Sequence, residues 1–363
     1  MAGISMRELA ELLEVSVASV SVALRGKPGI SSETRARILE EARIRGYDMS
    51  RLNAASSKGV IEVLDYTYYS RSAAPEEIPY YRQFLDAVTE TISRHGYTLS
   101  GSFHPTEPGF SSRPSANGSI ILGAGISPQE LTEYQQRGIP FVIAGNSFSA
   151  FPVNTVSHDN FYGIQAGIAH LVSLGHTKIG YVHSLEGIPG QERYQAYRFA
   201  IQEKELEYGE RVDITMADRR PAAENDCNGS SEINQKRILT GTELSEYWLS
   251  RLHAWLEQGL PTATAFLCDS DLTAASLMRA LRSHHLIPGR DISVIGFDDQ
   301  PFAALLEPPL TSVHTYEPEL GAAVAEQLIF CLEHPGCRYR HVRLGTELVV
   351  RESTQISLQR EIE

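Results

Sequence analysis

The chain has 363 residues, 42% hydrophobic and 21% charged, with a net charge of −13. That length exceeds one ordinary core, so two or three domains are expected, with the composition of a soluble globular protein. No apolar run approaches the ~20 residues of a membrane helix, no basic stretch followed by an apolar one marks a secretory signal, and Cys227, Cys268, Cys331 and Cys337 show neither paired spacing nor nearby histidines. A cytoplasmic protein with reduced structural thiols and no cofactor or metal is expected.

The acidic total hides an asymmetry. Residues 1–59 hold nine Lys/Arg against seven Asp/Glu, a net of +2, and the rest of the chain carries −15. A slightly basic head on an acidic body suits an anion-binding module joined to a non-binding one. The head begins with Ser5-Met6-Arg7-Glu8, a capping box, and Met6, Leu9, Ala10 and Leu13 follow at helical spacing. Glu14-Val15 makes a turn and Ser16 is the next N-cap. The segment SVASVSVALR (16–25) has the β-branched content of a strand, yet it stands between helical patterns. Read as a helix, it turns Val20, Ala23 and Leu24 toward the first helix. Ala18, Ser21, Val22 and Arg25 face outward, with Val17 at the leading end. Ser31 caps a third helix whose stripe is Ile38, Leu39 and Ala42, ended by Gly46. This is helix-turn-helix spacing, whose second helix would enter a major groove; a three-helix packing module without DNA has the same spacing.

After Gly59, strand-like runs at 60–64, 119–122, 141–144, 178–182, 264–268 and 293–296 alternate with helical patterns at 81–95, 162–174, 193–203, 245–258 and 271–283. Such alternation predicts parallel sheets covered by helices, and its length suits two lobes with a ligand cleft between them. The stretch 218–238 reads as an irregular polar loop. Gly123-Ala124-Gly125 lacks the third glycine of a dinucleotide fingerprint, and neither a phosphate loop, a His-Glu-x-x-His site nor a nucleophile elbow is present. Asp298-Asp299 has the composition of an acid/base pair, but neighbours at a strand end usually point apart.

The head sequence MRELAELLEVSVASVSVALRGKPGISSETRARILEEARIRGY, with HLVSLGHTKIGYV, DISVIGFDDQPFAALLEPPLTSV and ELVVREST in the body, resembles the lactose/galactose-repressor (LacI/GalR) family of transcription regulators. The resemblance implies a small all-α helix-turn-helix head (1–48), a hinge (49–59) and an α/β two-lobe core like that of periplasmic binding proteins. Its first lobe would comprise 60–158 and 314–339, its second 159–313 and 340–357, and its tail 358–363, with crossovers near 157–160, 312–316 and 339–341. It further implies a homodimer on double-stranded operator DNA, contacted by Ser5, Ser16, Val17, Ala18, Ser21, Val22, Arg25, Ser31 and Leu52. For a sugar-like effector it implies Arg193 and Asp298, with Asn160, Ser270 and Thr315 as further polar contacts. A forked guanidinium facing a carboxylate can bracket a polyhydroxylated ligand.

Departures from the family stand out. Residues 241–244 read GTEL where the family commonly stacks an aromatic on its sugar; Tyr68 or Tyr81, or the adjoining Tyr69 and Tyr80, is a candidate substitute, and a core or surface tyrosine is an equal reading of each. Ser56 replaces the hinge leucine and Met49 the proline before it, so Leu52 is the candidate wedge. Val22 replaces a base-reading arginine, and a thymine methyl is within its chemistry. A two-lobe solute-binding or sensor protein without DNA function is the alternative; a steep salt dependence of operator binding separates the two.

Overall fold

The computed structural model describes residues 5–24, 29–45, 47, 57–66, 79–103, 116–123, 126, 128–147, 151–184, 188–215 and 241–357. Arg25, Gly46, Met49, Leu52, Ser56, Tyr68, Tyr69, Cys227, the stretch 218–238 and the tail 358–363 lie outside them, as do the side chains of Tyr80 and of 241–244.

The head consists of α1 (Met6–Leu13), α2 (Val17–Leu24) and α3 (Ser32–Ile44). Ser5 accepts the Glu8 backbone N–H and the Glu8 carboxylate accepts that of Ser5 at 2.7 Å, closing the expected capping box. Ser16 accepts from the Ser19 N–H and Ser31 from the Thr34 N–H, each at 3.0 Å. Glu14 turns the chain with φ 53°. Val20, Ala23 and Leu24 are buried against Leu9, Ala10, Ile38, Ala42 and Tyr47, so tertiary packing overrides the strand propensity of the valines. Two arginines of α3 serve the head internally: Arg37 donates to the Leu13 carbonyl at 3.0 Å and Arg35 to that of Ala23 at 3.2 Å, at the C-terminal ends of α1 and α2. Leu39 does not join the stripe; it is 40% exposed, because Ile38 and Ala42 fill the contact with α1 and α2.

Beyond the head, the chain runs through β1 (Gly59–Asp65), α4 (Pro79–Arg94), β2 (Tyr97–Phe103), β3 (Gly118–Leu122), α5 (Pro128–Gln136), β4 (Phe141–Ala144) and β5 (Asn154–His158). Next come α6 (Asn160–Ser173), β6 (Lys178–His183), α7 (Ile188–Glu203), β7 (Glu207–Asp213), α8 (Gly241–Leu256), β8 (Ala265–Cys268), α9 (Asp271–Ser283) and β9 (Ser293–Asp298). The last elements are β10 (Thr311–His314), α10 (Glu317–Glu333), β11 (His341–Leu344) and β12 (Glu347–Val349).

The strands form two six-stranded sheets, ordered β2-β1-β3-β4-β5-β11 and β7-β6-β8-β9-β10-β12. All pairings are parallel except β10 with β12. The second sheet thus repeats the winding of the first. Each sheet is covered by apolar clusters: those around Val63, Phe84 and Leu328 and around Leu64, Ile126 and Phe141 for the first, and those around Phe266 and Leu277 and around Ile164, Tyr197 and Ile295 for the second. Helices α4 and α10 touch so closely that a Cβ on Gly321 would lie 2.5 Å from the Phe84 carbonyl oxygen.

The third crossover differs from the expected 339–341. β11 pairs with β5 from His341↔Thr155 to Leu344↔His158, and the Thr155 N–H donates to the Arg340 carbonyl. Residues 340–344 therefore belong to the first lobe, and the chain passes to the second at 345–346 because β12 pairs only with β10. The GTEL segment is the first turn of α8 rather than a loop.

Candidate functional site

Both sheets reverse their winding between two neighbouring strands, β1/β3 and β6/β8, and ligands of such sheets sit outside the carboxyl ends of the strands. Polar side chains gather at those ends here. Asp65, Asn146 and His158 follow or end β1, β4 and β5, while His183, Asp269 and Asp298 do so for β6, β8 and β9; all but Asp298 are buried.

Arg193 on α7 is the hub. Its Nε–H donates to Asn160 Oδ1 at 2.9 Å, Nη1 to the Asp269 carbonyl at 2.5 Å and Nη2 to Asp298 Oδ1 at 3.2 Å. The guanidinium stacks over the Phe297 ring, 3.7 Å from its centroid, and the side chain is 7% exposed. Three of its five N–H donors are used among the described residues, leaving two there for a guest. Asp298 and Asp299 hold φ of 103° and 50°, a backbone conformation L-residues rarely adopt and one that concentrates at functional sites. The two carboxylates do point apart: Asp298 to Arg193, Asp299 to His314 at 2.9 Å and Arg351 at 2.6 Å.

Neighbouring acids enlarge the cluster. Asp269 accepts the Ser184 N–H at 2.6 Å and hydroxyl at 2.7 Å. Glu192 on α7 ties the lobes together, accepting from Asn160 Nδ2 at 2.9 Å and from the Ser147 hydroxyl of the first lobe, with Arg343 of β11 4.0 Å away. Burial pushes Asp298 up to about 6 against the opposing pull of Arg193, although 27% of its side chain reaches solvent. Burial, reinforced by Asp298, raises Glu317 to about 7. Asp271 is raised to about 8 by burial and the nearby Asp298, although the Gln300 N–H and the Ser312 hydroxyl donate to it.

Arg193, Asp298, Asn160 and Thr315 come together: Thr315 Oγ1 is 3.2 Å from the Asp298 carbonyl and from Glu317 Oε1. Ser270, buried next to Asp269 in sequence, spends its hydroxyl as the N-cap of α9, accepting from the Thr273 N–H at 3.2 Å. Tyr81 corrects the expectation of an aromatic wall, since it is 1% exposed within the first-lobe core cluster of Phe84, Val88 and Ile120. Glu192, Ser147, Asn146, His158, Asp269 and Glu317 were not marked by sequence reasoning; their signal is a polar residue directly after a buried apolar strand or at a helix start.

In the head, Val17 is 45% exposed, Ala18 is exposed, and Ser21 and Val22 are half-buried, all away from the apolar centre. Ser5, Ser16 and Ser31 stand at the three helix N-termini.

A helix-turn-helix joined to two doubly wound lobes defines a class of ligand-responsive DNA-binding regulators, and comparison with known proteins agrees. The periplasmic binding protein-like domain matches residues 168–354. The HTH-type transcriptional regulator reg1 of Streptomyces lividans is 27% identical over 96% of both chains. Among solved structures, the lac repressor dimer bound to operator and the anti-inducer ONPF is similar with a TM-score of 0.67, at 17% identity over 98% of this chain and 100% of that one. The transcriptional regulator CelR in complex with cellobiose is similar with a TM-score of 0.65, at 20% identity over 96% and 99%. The chain belongs to the periplasmic binding protein-like family and, with its helix-turn-helix head, to the LacI/GalR transcriptional regulators. It is a regulator and not an enzyme.

Proposed function

We propose that this regulator binds a near-palindromic double-stranded operator as a homodimer, through the outward face of α2, and that a sugar-like effector held between the lobes controls that binding. The observation that carries the effector reading is the Arg193–Asn160–Asp298 constellation: a buried forked donor with free N–H groups opposite a carboxylate, in a cleft at the carboxyl ends of both sheets. The cellobiose complex of CelR supports the same ligand chemistry, and the operator complex of the lac repressor dimer supports the DNA reading.

The mechanism is linkage. Glu192, held by Asn160 within the second lobe, joins it to the first through Ser147, so a ligand that favours one lobe arrangement changes the geometry of the paired heads and with it operator affinity. Titrating the full chain against a randomised operator pool in rising salt, with and without sugars, tests both halves. A steep fall of affinity with salt and a sugar-dependent shift are expected. Salt-insensitive binding would remove the DNA role and leave a sensor.

A further inference from the structure

The two sides of the cleft are unequally satisfied. On the second-lobe side Arg193, Asp269 and Ser184 are engaged with one another and with their neighbours, and His183 Nδ1, which has no hydrogen-bond partner among the described residues, still lies 3.1 Å from Asp269 Oδ2. On the first-lobe side, His158 at the end of β5 is 8% exposed, and its Nε2 has no hydrogen-bond partner among the described residues. Glu317 Oε1 at the start of α10 is 3.8 Å away, beyond hydrogen-bond reach. At the neighbouring strand end Asn146 is 1% exposed; it donates Nδ2 to the Gly123 carbonyl at 2.7 Å while its Oδ1 has no partner among the described residues. Buried polar atoms are nearly always paired, so two that are unpaired among the described residues, at the carboxyl ends of neighbouring strands, ask for a guest.

The chemistry of that guest follows from the groups around it. Burial and the nearby Arg193 and His314 keep His158 neutral. A neutral imidazole and a carboxylate separated by slightly more than a hydrogen bond are bridged by a group that both donates and accepts, which is a hydroxyl. A phosphate or carboxylate there would meet Glu317 and Asp298, and the Arg193 guanidinium is already bound to Asp298.

We propose that His158 and Glu317, with Asn146 on the adjoining strand end, form a first-lobe subsite for an uncharged hydroxyl of the effector, and that this subsite turns away phosphorylated and acidic sugars. The inference rests on the effector reading above and deepens it.

The test is calorimetric titration of the full chain with cellobiose, maltose, galactose and ribose, with glucose 6-phosphate and galacturonic acid, and with single-deoxy analogues of whichever neutral sugar binds. The same titrations are run on His158→Phe and on Glu317→Leu; the latter removes a buried carboxylate and carries the test if the former does not fold. A neutral sugar is expected to bind, one deoxy analogue to bind the wild type about tenfold or more weakly, and that penalty to vanish in the variants. Equal binding of the neutral sugar to wild type and both variants overturns the subsite and leaves the cleft reading standing. Tightest binding by the phosphate or the uronic acid also overturns it. Binding of none of these sugars overturns both.

Discussion

The head and the two lobes are stabilised in different ways. The head closes over one cluster of eight buried residues, near the lower size limit for a core that stands alone, and leans on N-caps and on Arg35 and Arg37 at its helix ends. Each lobe has apolar layers on both faces of a six-stranded sheet and can hold a crowd of buried acids at its rim. In the head a single apolar side chain decides folding; in the lobes the delicate quantity is the charge balance of the cleft.

The sharpest break between the two is Val20→Arg. It buries an unpaired charge at a fully enclosed position, and we expect the head to unfold while the melting of the lobes is unchanged, checked by calorimetry and operator binding. Arg193→Ala should do the converse. It strands Asp298 and Asn160 in the cleft at a cost of about 3–5 kcal/mol and abolishes the response to effector, while operator binding persists in gel-shift assays. Unchanged effector affinity in calorimetry would reject the cleft assignment.

A smaller effect distinguishes the regions by pH. Asp271, fully buried in the second lobe, keeps its proton to about pH 8 when folded and releases it near 3.8 when unfolded. Its contribution is therefore complete below about pH 4 and is lost as pH rises through 8; Glu317 acts in the same direction toward 7. His158 acts in the opposite direction, losing stability as pH falls from 6.5 toward 3. The lobes should be most stable in mild acid and lose about 3 kcal/mol between pH 6 and 8. Asp271→Asn should flatten that slope in pH-dependent melts; a rise toward pH 8 would contradict the assignment.

The least disruptive change is Val22→Arg on the outer face of α2. It should leave melting unaltered and shift half-site preference toward guanine by about 1–3 kcal/mol, read by operator selection. Identical behaviour of positions 20 and 22 would mean that the two faces of α2 are exchanged.

Much of this contrast is legible in the sequence. Caps and 3.6-residue spacing mark the head helices, and their buried face is found at Val20, Ala23 and Leu24. In the lobes, continuous apolar runs such as β4 and β8 announce themselves, but β7 (EYGERVD) and β11 (HVRL) are polar edge strands without a core pattern. β11 is defined by pairing with a strand some 186 residues earlier, which no local window contains. In the cleft, Arg193 and Asp298 are readable by resemblance. His158 and Glu317 are not, because what distinguishes them is a gap of 3.8 Å between distant segments.

The interleaved topology has a consequence for how the chain is made. The first lobe receives its covering helix α10 and its edge strand β11 only from residues 317–344, after nearly all of the second lobe has been translated. On the ribosome the head can fold once Tyr47 has emerged, but the outer edge of β5 waits uncovered for some 180 residues until β11 follows. Neither lobe is finished until the last crossover clears the exit tunnel, so both lobes complete almost together. A premature stop between residues 317 and 344 would release a competent head on two unsealed lobes, a product for chaperones and proteases to remove.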